Sequence, residues 1–163
     1  MKRPHWPTAV CLSFGLLAAV TGVAAADLFA GSSWSLLSPG GAAVLRTAPG
    51  QVLQVTVHHP LKAYYQIELT HDVAAVLPAG ATVRYHFLAR SPTRNPIHAV
   101  IEKRTSPYTH LFDKAITLTP AWKDYTFTTR IPSAYGPRGL AARLQVGQQA
   151  GIIEFKSISM TKG

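Results

Sequence analysis

Few residues in this chain are equipped for covalent or metal chemistry. It holds seven histidines, seven carboxylates and one cysteine, Cys11, in 163 residues. A zinc site draws its ligands from His and Cys at short characteristic spacings. Here His58 and His59 are adjacent, so on a strand they point to opposite faces and cannot readily share one ion. No other spacing resembles a metal motif. The carboxylates form no recognisable acid/base pair; Asp113 and Glu102 come nearest, and a pair distant in sequence stays open. There is no Gly-x-Ser-x-Gly elbow, phosphate loop or dinucleotide fingerprint. What remains are side chains suited to binding. Tyr64, Gln66, Arg84, His86, Arg90, His98 and Gln145 each stand beside an apolar neighbour in an alternating run.

Those runs predict strands with one buried face. In 82–91, the longest, Val83, Tyr85, Phe87 and Ala89 form one face against Arg84, His86, Leu88 and Arg90. Residues 116–130 read as two runs meeting at Pro120-Ala121-Trp122. Proline ends the first because it cannot donate to a ladder, and Trp122 is expected in the core at the corner. Tyr125, Phe127 and Thr129 then point one way. Further strands are predicted at 34–37, 43–47, 52–58, 64–70, 97–102 and 140–146. In 64–70, Tyr65, Ile67 and Leu69 are set against Tyr64, Gln66 and Glu68. Residues 72–77 read as a crossing and 105–114 as a loop or irregular strand. The last run, 152–161, changes apolar phase between Phe155 and Ile158, which predicts a bulge near Lys156-Ser157. Many short strands with turn signals and almost no helical periodicity predict an all-β sandwich of two antiparallel sheets.

The first 26 residues read differently. A basic Met1-Lys2-Arg3 start, an apolar run over 9–20 and Ala24-Ala25-Ala26 have the order of a secretory signal peptide. The alternative, a membrane anchor, is weakened by Ser13, Gly15, Thr21 and Gly22 in an already short span. Cleavage after Ala26 leaves 137 residues, 27–163, the size of one domain. It removes Cys11, and with it any disulfide or thiol nucleophile. Losing Lys2 and Arg3 takes the formal charge from +9 to +7. The cations are spread thinly and form no nucleic-acid arm, and export makes nucleic acid an unsuitable partner. The charge serves either solubility or attraction to an anionic envelope or polysaccharide.

The order of segments resembles the carbohydrate-binding modules of the family 4/9 type, jelly rolls of the galactose-binding-like superfold. The residues that carry this are Tyr65-Gln66-Ile67-Glu68-Leu69; the segment from Leu77-Pro78-Ala79-Gly80 through Tyr85-His86-Phe87 to Ala89-Arg90-Ser91; Leu118-Thr119-Pro120-Ala121-Trp122-Lys123-Asp124-Tyr125; Leu144-Gln145-Val146-Gly147; and the closing strand from Gly151 to Met160. The likeness covers nearly all of 27–163. It implies a secreted or periplasmic, non-catalytic protein that binds a polysaccharide on a sheet face or at the loops of the sandwich edge. No membrane span is left after signal removal. Such modules usually accompany a catalytic domain, so a single domain fits an accessory subunit of a glycan-active enzyme or envelope complex. The alternative is a structural or protein-interaction sandwich without a sugar site.

The resemblance also selects residues. A sugar needs an aromatic face for its C–H side and fixed polar groups for its hydroxyls. The candidates are Tyr64, Gln66, Arg84, Arg90, His98 and Gln145 as one polar strip, with Tyr108 and Trp34 as stacking platforms near loops. For each residue singly a solvated sheet face is the alternative, and Trp34 also reads as an N-terminal staple. Family members often place acidic residues at the opening Asn-Gly-Asp-Phe-Glu and on the last strand to hold a structural calcium. Here the opening is Asp27-Leu28-Phe29-Ala30-Gly31, and Lys156 stands about where the closing Asp would be. The expectation is that the calcium site is lost or much weakened and that no other cofactor is bound.

Overall fold

A computed structural model describes residues 26–29 and 33–163, so residues 1–25 of the expected signal peptide lie outside the described part. Ten strands form: β1 (Ser35–Leu37), β2 (Ala43–Ala48), β3 (Val52–Val57), β4 (Glu68–Asp72), β5 (Thr82–Arg90), β6 (Pro96–Lys103), β7 (His110–Thr117), β8 (Lys123–Arg130), β9 (Leu140–Gln145) and β10 (Gly151–Lys162). They make two five-stranded antiparallel sheets, β1-β4-β9-β6-β7 and β2-β3-β10-β5-β8. The expected all-β jelly-roll sandwich is the fold observed.

The alternation read in β5 is what the fold uses. Val83, Tyr85, Phe87 and Ala89 are fully buried between the sheets, while Arg84, His86, Leu88 and Arg90 face out. Phe87 is the hub of the core, with ring centroids 5.5 Å from Tyr125, 6.1 Å from Phe155 and 5.4 Å from Tyr85. Phe112 of β7 meets Phe127 of β8 at 5.3 Å and joins the two sheets at one edge. The bulge predicted in the last strand is present. The β10–β5 register shifts between Lys156 and Ser159, and Ser157 takes φ 51°. This keeps Phe155 and Met160 both in the core.

Two local expectations are corrected and one left open is decided. Tyr64–Gln66 is a 3-10 turn rather than the start of a strand, and β4 begins only at Glu68. The Gln66 side-chain oxygen accepts from the Ala63 N–H at 2.9 Å, which offers the backbone a local partner in place of a ladder. Residues 110–117, most of them expected as a loop or irregular strand, form β7 beside β6, which leaves Tyr108 in the hairpin loop. Trp122 is only half-buried and lies outside the core. Its ring lies under two cations, with Arg90 Cζ at 4.7 Å and Lys156 Nζ at 4.4 Å from the centroid. Trp34 does pack as a staple, against Phe29 at 5.3 Å and His71 at 5.2 Å.

The turn at Tyr64 is held from below by Gly147. Its N–H donates to the Tyr64 carbonyl at 3.1 Å, and a Cβ added there would sit 2.8 Å from that same oxygen and 3.3 Å from the Ile67 Cβ. Backbone on one side and a β-branched core residue on the other leave no room to yield. Gly147→Ala is therefore expected to lower stability by about 1–3 kcal/mol, read as a lower urea midpoint at unchanged slope.

Candidate functional site

The outer face of the β1-β4-β9-β6-β7 sheet carries the site. Antiparallel pairing sets its side chains in rows: Leu37, Glu68, Gln145 and His98 across one, then Ser35, Thr70, Arg143, Val100 and Asp113, then Ala141, Glu102 and His110. Arg143 and Gln145 alternate with Leu140, Ala142 and Leu144 and so take the outward positions of β9, yet every residue of that strand is buried. β9 is the middle strand, and the polar network and walls described next cover its outer side.

Arg143 is the centre of the floor. It donates through Nη1 to Glu68 Oε1, and its Nε lies 2.5 Å from Glu102 Oε1, though not in hydrogen-bonding geometry. Glu68 and Glu102 are only 4% and 5% exposed, so each is a buried charge that needs this cation. Burial pushes the Glu68 carboxyl above its usual range; the Arg143 charge and the Gln145 hydrogen bond oppose that push. From Glu102 the network continues outward. His110 Nε2 is 3.0 Å from Glu102 Oε2, and His110 Nδ1 is 3.3 Å from Asp113 Oδ2. His98 Nδ1 is 2.7 Å from Asp113 Oδ1. The His98 ring in turn stacks on Tyr64, with centroids 4.1 Å apart and planes 15° from parallel. A chain of contacts thus runs from the buried guanidinium to an aromatic wall.

Above this floor is a groove of about 620 Å³, within the ~300–1,000 Å³ of ordinary ligand clefts. Tyr64 and Tyr65 wall one side, and Tyr108 from the β6–β7 loop contributes to its lining. Tyr65 and Tyr108 are 56% and 60% exposed, far more than large aromatics usually are without a partner. Arg104, anchored at 2.7 Å on Asp72, stands at the rim. In the floor the Gln145 amide nitrogen donates to Glu68 Oε2 at 3.3 Å, while its oxygen is buried with no partner among the described residues. An acceptor left in that state is costly unless something docks a donor on it. Apolar tyrosine faces beside fixed acceptors and donors suit a ligand that is apolar on one side and hydroxylated on the other. Glu68 and Glu102 are committed to Arg143, so neither is disposed as a free acid or base.

The eight residues singled out in the sequence divide between several places. Tyr64, Tyr108 and Gln145 line the groove, and His98 backs Tyr64. Gln66 faces its own turn, and Trp34 packs on Phe29 and His71. Arg84 and Arg90 lie on the outer face of the other sheet, so the strip expected as one unit is split across the sandwich. The sequence reading passed over Tyr65, Glu68, Arg143, His110 and Arg104 and weighed Glu102 only as half of an acid/base pair. Tyr65 was assigned to the core face by strand parity, which the 3-10 turn breaks. A signal did exist for Glu68, Arg143 and Glu102: charges inside otherwise apolar runs, on strands flanked by other strands.

No protein-family model matches the chain, and no curated relative does. Among solved structures it is similar to one described as a family 4 carbohydrate-binding module, at TM-score 0.69 and 22% identity, over 80% of this chain and 86% of that one. The fold is that of a carbohydrate-binding module. The second and first N-terminal cellulose-binding domains of Cellulomonas fimi β-1,4-glucanase C share this module fold. The second superposes at TM-score 0.60 with 20% identity over 86% of this chain and 96% of the domain. The first gives 0.57 with 15% identity over 78% and 92%.

The module family's structural calcium can be tested on the residues present. Asp27 Oδ1 is taken by the N–H groups of Phe29 at 3.1 Å and Met160 at 3.2 Å. Asp27 bridges to Thr161, whereas Lys156 sits at the bulge with its ammonium over Trp122. Calcium takes about six to eight oxygens, and these residues do not supply such a set.

Removing the central cation gives a direct check on the floor. Arg143→Met leaves Glu68 and Glu102 buried without the cation they share, at an expected cost of about 3–5 kcal/mol at pH 7. The Glu68 carboxyl already titrates above its unfolded value. Its ionisation therefore opposes folding at neutral pH, and that cost is relieved as pH falls through the folded pKa towards the unfolded one. Losing Arg143 raises the folded pKa further. The deficit of the variant against the parent should accordingly shrink on acidification, measured by denaturant unfolding across pH 4–8.

Proposed function

We propose that this chain is an exported, non-catalytic polysaccharide-binding protein that lays a glycan chain along the groove of the β1-β4-β9-β6-β7 sheet. The observation that carries this reading is the pairing of tyrosine rings with a rigid polar floor. Tyr65 and Tyr108 are exposed, Tyr64 is half-buried against His98 at the groove wall, and Gln145 keeps an unused buried acceptor below them. The module fold supports the ligand class, and the signal-like residues 1–26 support export. Its place is in the periplasm or outside the cell, working as an accessory subunit beside a glycan-active enzyme or envelope complex. It binds no structural calcium. The second reading, an interaction sandwich without a sugar site, is favoured by the same exposed tyrosines if a protein rather than a glycan covers them.

Affinity electrophoresis against soluble β-glucans and xylans separates the two. Retardation is expected, and Tyr65→Ala and Tyr108→Ala should each weaken it roughly fivefold, equivalent to about 1 kcal/mol of ring contact. Arg90→Ala, on the far sheet, should leave it unchanged. Lack of retardation by any glycan, or loss with Arg90→Ala but not with the tyrosine variants, would turn the assignment to the interaction sandwich or to the other face. A chelator added to the purified protein should leave the melting temperature where it was; a fall of many degrees would restore the calcium site.

A further inference from the structure

The two outer faces of the sandwich carry opposite charge. The groove face holds Glu68, Asp72, Glu102 and Asp113 against Arg104 and Arg143. On the outer face of the β2-β3-β10-β5-β8 sheet, strand alternation places Arg46, Arg84, Arg90, Arg130 and Lys156 on one side of the sheet. The acids there, Asp124 and Glu154, are both engaged. Asp124 meets His86 Nε2 at 2.9 Å, and that hydrogen bond, with another from Thr126, holds its carboxyl below the usual range. Glu154 accepts from Arg90 Nε at 2.5 Å and from Gln54 at 3.0 Å. Arg46, Arg84 and Arg130 are exposed and make no ion pair among the described residues. Among the residues named, the far face therefore carries a net positive charge and the groove face a net negative one.

We infer that this second face is a docking surface for an acidic polysaccharide, a polyuronate carrying a carboxylate on each sugar. Successive outward residues on a strand stand about 6.6–6.8 Å apart and neighbouring strands about 4.8 Å apart. The register sets Arg90 diagonal to Lys156 and Arg84 diagonal to Arg130, two cation pairs at either end of β5 with Arg46 on the edge strand, which suits a linear polymer with a repeated anion. One of them is preorganised. Arg90 is stacked on Trp122 and tied through Nε to Glu154, which leaves its terminal nitrogens to fork a carboxylate. Lys156 lies over the same indole and sets a second cation beside it. A bilayer is the less suitable occupant. The exposed large apolar side chains on this face are only Val44 and Ile152, and two cations lie over its tryptophan ring, so no free aromatic stands ready to insert among lipid tails. With the groove on the opposite side, the molecule would bridge two polymers.

The test is affinity electrophoresis of the full mature chain in gels containing polygalacturonate, with near-UV circular dichroism to confirm that each variant is folded. The parent should be retarded at low salt and released as salt screens the charges. Arg84→Glu combined with Arg130→Glu should weaken retardation by about tenfold or more. Arg46→Glu on the edge strand, a milder change should the double variant fail to fold, should weaken it measurably. Lys62→Glu combined with Lys114→Glu, which removes as much charge from elsewhere, should stay within about twofold of the parent. Tyr65→Ala should have no effect in these gels, so a failure of groove binding to neutral glycans does not affect this surface. No retardation by polygalacturonate overturns the inference. So does equal loss in the Lys62/Lys114 variant, which would mean non-specific attraction to net charge. Binding to phosphatidylglycerol vesicles as tight as to the polymer at the same salt would reassign the surface to membranes.

Discussion

Arg143 is the residue on which the groove depends. A guanidinium on the middle strand of a sheet, nearly closed off from water, is tolerable only if its charge is matched where it stands. Glu68 on one neighbouring strand and Glu102 on the other do so. The pairing is a constraint on register as much as an attraction. A slip of one residue in β4 or β6 would send a carboxylate to the core face and leave the arginine bare. Apolar residues in those positions would allow closer packing and would also leave nothing polar for a ligand. The floor keeps its polarity because all three strands present charge on one face, in successive rows.

Rigidity then spreads from those charges to the walls. Glu102 sets His110, His110 and His98 share Asp113, and His98 stacks under Tyr64. On the opposite flank, Gly147 lets the chain pass close beneath the Tyr64 turn, so the turn is fixed from its backbone as well as from its ring. Side chains held in this way lose little further freedom when they meet a ligand, which is the condition for a shallow open groove to bind at all. Tyr65 and Tyr108 are held less, and they are the rings that project.

The sandwich also isolates the two faces electrically. Its interior is a cluster of aromatic and aliphatic groups around Phe87, a layer about 10 Å thick through which neither face can satisfy the charges of the other. Each face therefore balances, or fails to balance, its own charges. The groove side binds up its cations in carboxylate pairs. The far side has too few acids to do the same, so Arg46, Arg84 and Arg130 make no ion pair among the described residues. A chain whose totals say only that it is basic is in space a plate with two dissimilar sides.

What the sequence by itself determined is whatever repeats with a period of two. The faces of β5, the bulge in β10 at Lys156-Ser157, the end of a run at Pro120 and the all-β sandwich follow from local patterns of apolar and polar residues. Those patterns fix which side of a strand is dry. They cannot say which sheet a strand joins. Arg84 and His98 have the same local signature, yet they lie on opposite sides of the molecule, because the neighbours of β5 and β6 are chosen by long-range pairing. Local parity also failed wherever a residue had a competing partner nearby. Gln66 capped its own turn and moved Tyr65 from the expected core to the groove wall. Trp122, expected inside by size, stayed at the surface beside two cations that only the pairing of β5, β8 and β10 brings together. The groove, its buried arginine and the separation of charge are products of register between distant segments, and tertiary structure alone decided them.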